Sequence, residues 1–320
     1  MKPELSAKTE EAIKPKIPAV MESKKRGYST GSYHLMLLPA VILVLIYSYG
    51  PMAGIIIAFQ DFYPSNGWFG SEWIGIGNFS YVFSMPDFAQ VMSNTIIISF
   101  IKILVGIIVP LTLAIILNEV KNMIFKRSIQ TIIYLPYFLS WVILSGILID
   151  ILSPSGGFVN IMLSYLNIDP IYFLGEEPWF RIVIILSHIW KESGFDTIVY
   201  LAAILNIDKA LYEASALDGA SRFKQIWHIT LPGMRPIIVL LSVLSLGNVL
   251  NAGFDQIFNL YNPQVYSSAD ILDTFVYRLG LEQMQYGVAT AVGLFKSVIS
   301  FIFITVSYYL AYRFANYRIF

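Results

Sequence analysis

The sequence predicts an all-α membrane protein with six transmembrane helices, and three observations predict it. Of 320 residues, 56% are hydrophobic and only 13% are charged, about half the ~25% charge of an ordinary soluble domain. Six apolar stretches each reach the roughly 20 residues that a helix needs to cross a bilayer. Lysine and arginine sort into alternate loops between those stretches, so one topology satisfies every loop.

The segment 1–32 is polar, with lysine and proline recurring as far as Arg26. It cannot bury a core and is expected to be a disordered cytoplasmic tail. The apolar run after it is too long for a signal peptide and lacks a small-residue cleavage site. It reads as a retained membrane anchor. The six stretches run at 35–58, 93–117, 129–152, 180–205, 236–257 and 287–313. The first holds Pro39 and Pro51, the second Lys102 and Pro110, and the third Pro136. The fourth carries a break at Glu192-Ser193-Gly194, the fifth Gly247 and Gly253, and the sixth Gly293. Proline and glycine are tolerated in such helices because neighbours re-satisfy the freed backbone groups. Each reads as a packing position or a kink.

Orientation follows from the short loops. The tail has Lys2, Lys8, Lys14, Lys16, Lys24, Lys25 and Arg26. Lys121, Lys126 and Arg127 follow the second span, and Lys209, Arg222, Lys224 and Arg235 follow the fourth. Arg313 and Arg318 close the chain. The loops at 59–92 and 153–179 carry acids but no bases at all, and the loop at 258–286 has only Arg278. Both termini are therefore expected in the cytoplasm. The domain reading is a first helix with its extracytoplasmic loop at 33–92, a core at 93–313 and a cytoplasmic end at 314–320. Trp68, Phe69 and Trp73, with Trp179 and Phe180, fall at outward positions. They read as an interfacial aromatic belt, or as a docking or sugar-stacking surface.

Several function classes fall away. Net charge is zero, so no basic field recruits nucleic acid. There is no cysteine, which excludes disulfides, thiolate catalysis and cysteine metal sites. His34, His188 and His228 lie far apart and suggest no metal cluster. No phosphate-binding GxxxxGK[ST] loop, HExxH or GxSxG occurs, so the chain is expected not to hydrolyse ATP and not to be an enzyme. No filter-like motif or charged ring marks a channel.

The most informative segment is the loop at 206–235. Ala210, Leu211, Ala214 and Leu217 fall at helical spacing among strong helix formers. Gly219 follows as a C-terminal stop, since glycine adopts the left-handed conformation cheaply. A second amphipathic stretch, Phe223, Ile226 and Trp227, leads to Pro232, which marks a boundary. The expected form is a short helix, a tight turn and a second short helix on the cytoplasmic face. It exposes apolar knobs beside charges, as a docking element for a soluble partner would. An interfacial helix that only anchors the loop is the plainer reading.

This segment resembles the EAA motif of binding-protein-dependent ABC importer permeases: Glu-Ala-Ala, three residues, Gly, nine residues, Ile, one residue, Leu-Pro. Glu213, Ala214 and Ser215 are followed by Gly219, then by Ile229, Leu231 and Pro232, and every spacing matches. Ser215 in place of the second alanine is the one departure. Asp218, Ala220 and Phe223 are similar to the sugar-importer branch. Leu37-Leu38-Pro39, Tyr49-Gly50-Pro51, Ala58-Phe59-Gln60-Asp61-Phe62 and Gly75-Ile76-Gly77-Asn78-Phe79 resemble the amino-terminal half of MalF/LplB-like polysaccharide permeases. The likeness covers nearly everything after Tyr33. It implies a type I importer permease (MetI-like) fold in a bacterial cell membrane. It implies a second homologous permease as heterodimer partner, two ABC ATPase subunits that bind ATP and Mg, and an extracytoplasmic solute-binding protein. This chain itself would bind no cofactor. The loop 206–235 would insert into a cleft of the ATPase.

For a substrate pathway the sequence offers less. Polar groups inside a membrane are costly and default to functional hypotheses. Lys102, Asp150, Lys191, Glu192, Asp196, Asp255 and Lys296 are candidates, each equally well explained by structural pairing. Asn248, Asn251 and Asp255, three and four residues apart, would share one helix face and line a pore. Tyr137 and Trp141 offer aromatic faces to a sugar. A neutral or weakly charged saccharide fits, and a uronate could be met by Lys102 or Lys296. A permease for another solute, or an ion-coupled secondary transporter with acids near the midplane, is the alternative.

Overall fold

The structure, a computed structural model, describes residues 30–315. The expected tail up to residue 29 and the last residues of the expected cytoplasmic end lie outside them. The chain divides into two units between Ala53 and Gly54. In the first, helix α1 (Thr30–Val44) passes through a π-helical turn at Leu45–Tyr49 into a 3-10 stretch that starts at Gly50. The Gly50 N–H reaches back five residues to the Leu45 carbonyl. The change of pitch falls where Pro51 removes a backbone donor.

The second unit begins with a two-stranded hairpin, β1 (Gln60–Asp61) antiparallel to β2 (Glu72–Trp73), with Gln60 opposite Trp73. Its scaffold is a pair of long helices, α2 (Phe88–Glu119) and α5 (Glu177–Leu205). Thirty-two residues give α2 a length of about 48 Å. One end of the pair buries Ile98 against Phe180 and Ile184. The other buries Ala114 against Tyr200, Leu201 and Ile204. These apolar clusters fix the two helices along their length, so polar groups between them are held at defined heights.

Between α2 and α5, helices α3 (Met123–Tyr134) and α4 (Trp141–Leu152) cover the expected third span. It is not one helix. Met123–Phe138 and Trp141–Leu152 meet at 105°. Pro136 tightens the chain into a 3-10 turn, Leu139 is extended, and Ser140 starts α4 by accepting the Ile143 N–H at 3.3 Å. The fourth span shows the opposite correction. Helix α5 runs unbroken through Glu192-Ser193-Gly194. Gly194 serves close packing instead: a Cβ there would lie 2.3 Å from the Ile133 carbonyl oxygen.

Helix α6 (Lys209–Leu217) and helix α7 (Arg222–Gln225) follow, and a π turn at Ile226–Thr230 joins α7 to α8 (Leu231–Gly247). The expected fifth span, 236–257, is corrected as well. Its helix stops at Gly247, residues 248–253 are irregular, Gly253 has φ +94°, and α9 (Phe254–Leu260) begins anew. After α10 (Leu272–Tyr277), the chain closes with α11 (Tyr286–Ala315).

Among the described residues, four helical runs are long and apolar enough to cross a membrane, and the bent pair makes a fifth. They are Tyr33–Phe59, Phe88–Glu119, Arg222–Gly247 and Tyr286–Leu310. Helix α5, which covers the expected fourth stretch, is not among these runs. It has 29 residues but is less apolar, carrying Arg181, Lys191, Glu192 and Asp196.

Candidate coupling hairpin and intramembrane cavity

The segment 206–235 folds as a hairpin of short helices. The Asp208 side chain caps α6 by accepting the Ala210 N–H at 2.9 Å. At the other end the Ala220 N–H reaches the Ser215 carbonyl at 2.9 Å, and the Gly219 N–H reaches the Ala216 carbonyl at 3.1 Å. This is the paired bonding of a Schellman turn. It needs a left-handed residue, and Gly219 supplies φ +75°. Ser221 then caps α7 through the Lys224 N–H. Contrary to the expected boundary, Pro232 does not interrupt the helix. The Leu231 N–H bonds back five residues to Ile226, and the widened turn takes the chain past the proline into α8.

Buried polar side chains hold the hairpin together. Gln225, 6% exposed, donates to the Ser215 hydroxyl at 2.9 Å and to the Tyr212 carbonyl at 3.1 Å. The Tyr212 and Thr230 hydroxyls lie 2.9 Å apart. The outside is apolar where a partner could meet it. Leu217 is 90% exposed, and the exposed rings of Phe223 and Trp227 stack at 6.4 Å. Glu213, Arg222 and Ala220 border a groove of about 480 Å³. Ala214 and Asp218 are exposed, while Ile229 and Leu231 are half-buried at the start of the long helix.

A second feature lies between α2, α5 and the broken fifth span. A cavity of about 200 Å³ is lined by Ser99, Lys102, His188, Asp196, Asn248 and Asn251, among others. Asn248, Asn251 and Asp255 do not share a helix face, because the helix is interrupted between them. Asn248 and Asn251 reach the cavity from the interruption. Asp255 sits in the first turn of α9 and is not among the lining residues. The interruption is built on Lys102. Its ammonium donates to the Ala252 carbonyl at 2.6 Å and to Gln256 Oε1. Gln256 Nε2 donates in turn to the Ile184 carbonyl at 2.7 Å and to Ser187 Oγ at 2.8 Å. A Cβ on Gly253 would lie 3.1 Å from the ammonium, and φ +94° already favours glycine there. Lys102 is 5% exposed and belongs to none of the ion pairs among the described residues. Burying an ammonium costs several kcal/mol even after relaxation.

The two other lysines of the expected spans are paired. Lys191 donates to the Tyr137 carbonyl at 2.9 Å, lies 3.7 Å from Glu192, and sits 5.2 and 5.6 Å from the Tyr137 and Trp141 ring centres. Tyr137 and Trp141 thus cradle the lysine that satisfies a carbonyl at the bend, and they are not part of the cavity lining. Lys296 is bonded to Asp273. Ser99 and His188 line the cavity although their sequence pattern does not single them out. A lone serine or histidine in an apolar run gives no periodic signal.

Long apolar helices, an externally apolar helical hairpin and a polar intramembrane cavity define a membrane-spanning transport component. A family model for the inner membrane component of binding-protein-dependent transport systems matches residues 106–316, and the chain belongs to that family. It is 40% identical over 316 residues to the polygalacturonan/rhamnogalacturonan transport system permease protein YteP of Bacillus subtilis, covering 97% of this chain and 98% of that one. It is 42% identical over 281 residues to protein LplB of the same organism, covering 88% of each. A solved bacterial ABC transporter that imports the acidic polysaccharide alginate superposes with TM-score 0.83 at 42% identity, covering 89% of this chain and 96% of that chain. The chain is a permease subunit of an ATP-binding-cassette importer with the MetI-type permease fold.

Proposed function

We propose that this permease carries an oligosaccharide derived from a polysaccharide, by alternating access driven by separate ATPase subunits. The observation that carries the reading is the hairpin of α6 and α7. It is rigid inside and apolar outside, and it lies in a loop with four basic residues, Lys209, Arg222, Lys224 and Arg235. The positive-inside rule puts such a loop on the cytoplasmic side, where ATPases act. With both termini also inside, α5 is the remaining crossing of six.

The complete assembly contains a second, homologous permease, two ATPase subunits that hold ATP and Mg, and an extracytoplasmic binding protein. A related transporter has been solved with an alginate pentasaccharide-bound periplasmic protein, which supports that last partner. The saccharide substrate is supported by the names of the relatives and by the donor-rich lining of the cavity. The hairpin residues Glu213 to Pro232 transmit ATPase closure to the spans, and Asn248 and Asn251 meet the substrate.

The test is ATP-dependent uptake of labelled oligosaccharides into proteoliposomes holding the whole assembly. Uptake should require ATP and the binding protein. Uptake driven by an ion gradient without ATP would overturn the reading.

A further inference from the structure

We propose that Lys102 is the charge-selecting residue of the pathway, and that the saccharide it selects carries a carboxylate. This rests on the reading that the substrate is a saccharide.

Three features converge on the cavity wall. The first is the state of the ammonium. Lys191 and Lys296 each face a carboxylate, Glu192 and Asp273, whereas both hydrogen-bond partners of Lys102 are neutral oxygens. An ammonium has three N–H donors. Two are used, and the residue lines the cavity, so a donor remains for an incoming group.

The second is the company it keeps. Ser99, three residues earlier on α2, is 1% exposed and lines the same cavity. Its hydroxyl has no partner. The Asn248 and Asn251 amides enter from the interrupted segment. A cation beside hydroxyl and amide groups suits a uronate ring, which presents one carboxylate and several hydroxyls.

The third is where the acid lies. Gln256 holds the ammonium at the level of Ile184 and Ser187. Asp196 is eight residues beyond His188 on α5, about 12 Å along the helix axis. The lining therefore carries both a cation and an acid, and a carboxylate is drawn to the Lys102 side and repelled by Asp196.

The experiment uses the whole transporter in proteoliposomes, with trigalacturonate and its fully methyl-esterified form as probes. The two share rings and linkages and differ in charge. The binding protein is the same in every arm, so a change in the acid-to-ester ratio of kcat/KM reports the permease. Wild type should prefer the acid. Lys102→Gln should lower the preference at least tenfold while ester uptake persists. Because Lys102 also holds the helix interruption, Asn248→Asp is the second variant. It adds an opposing carboxylate at an exposed position and leaves the Lys102 bonds in place, and it should lower the preference in the same direction. An unchanged ratio in Asn248→Asp, or a wild type that prefers the ester, overturns the proposal. If wild type takes up neither probe nor any neutral oligosaccharide, the saccharide reading fails first and the proposal falls with it.

Discussion

Ser215 Oγ accepts a hydrogen bond from Gln225 Nε2 at 2.9 Å and donates to the Tyr212 carbonyl at 2.9 Å. Ser215 is where this chain departs from the Glu-Ala-Ala pattern, and the departure fastens α6 to α7. Ser215→Ala leaves Gln225 its second acceptor, the Tyr212 carbonyl. The loss should be about 0.5–1.5 kcal/mol, seen as a slightly lower melting temperature of the purified complex. ATP-dependent uptake should continue. Lost uptake at an unchanged melting temperature would mean that the hydroxyl acts on the ATPase and not on the hairpin.

Gly219 has open space around it: a Cβ there would meet nothing within 4 Å. Backbone conformation alone constrains it. A left-handed non-glycine residue costs roughly 1–2 kcal/mol, and asparagine pays less. Gly219→Asn should therefore keep uptake near wild type, while Gly219→Leu should reach the membrane and lose ATP-coupled uptake. Normal uptake by Gly219→Leu would remove the Schellman turn from the account.

Gly194 is the opposite case. The Ile133 carbonyl stands where its side chain would be, and small residues let membrane helices approach this closely. Gly194→Leu should abolish folded protein in detergent. A Cβ on Gly146, in α4, would meet nothing within 4 Å, so Gly146→Ala should stabilise by about 0.5–1 kcal/mol, the helix penalty of glycine. Fluorescence-detected gel filtration and melting curves of the two variants check the contrast. Equal behaviour would contradict it.

In the expected outer loop, Arg278 is bonded to Asp270 and lies 4.8 Å from the Tyr266 ring centre. Burial works against its charge, and the hydrogen bond and charge of Asp270 outweigh it, so its pKa is raised. A base whose folded pKa is raised contributes stability that is full below the unfolded value and lost only as pH rises through the folded one. That window lies beyond the ordinary arginine range. Asp270→Asn should cost about 3 kcal/mol, the lower end for breaking a buried pair. The deficit in melting temperature should be equal at pH 7 and pH 9. A deficit that vanished at pH 9 would mean that Arg278 loses its charge there.

The hairpin is legible in the sequence because its determinants are local. The apolar spacing of α6 and the glycine after it lie within one dozen residues. The 105° bend beside Ser140 and the interruption at 248–253 are only half legible: Pro136, Gly247 and Gly253 mark the places but read equally as packing positions. Both lie inside stretches whose composition stays apolar, and hydropathy records the solvent but not the backbone bonds. What builds the interruption is Lys102, about 150 residues away in sequence. Gly194 is ambiguous for the same reason. A helical glycine reads as a break or as a close contact, and only the position of Ile133 decides. Of the pathway residues, Asn248 and Asn251 reach the cavity, but from an irregular segment and not from the helix face that their spacing suggests.

The central claim is that the hairpin of α6 and α7 docks on an ATPase subunit in the cytoplasm. The chain has no cysteine, so Leu217→Cys places a single thiol at the exposed tip of α6. With a maleimide–benzophenone cross-linker in inside-out vesicles holding the whole assembly, the account predicts a covalent adduct with the ATPase subunit that changes in yield with ATP. Labelling of that thiol by a membrane-impermeant reagent from the outer face, or no adduct with the ATPase in any nucleotide state, would contradict it.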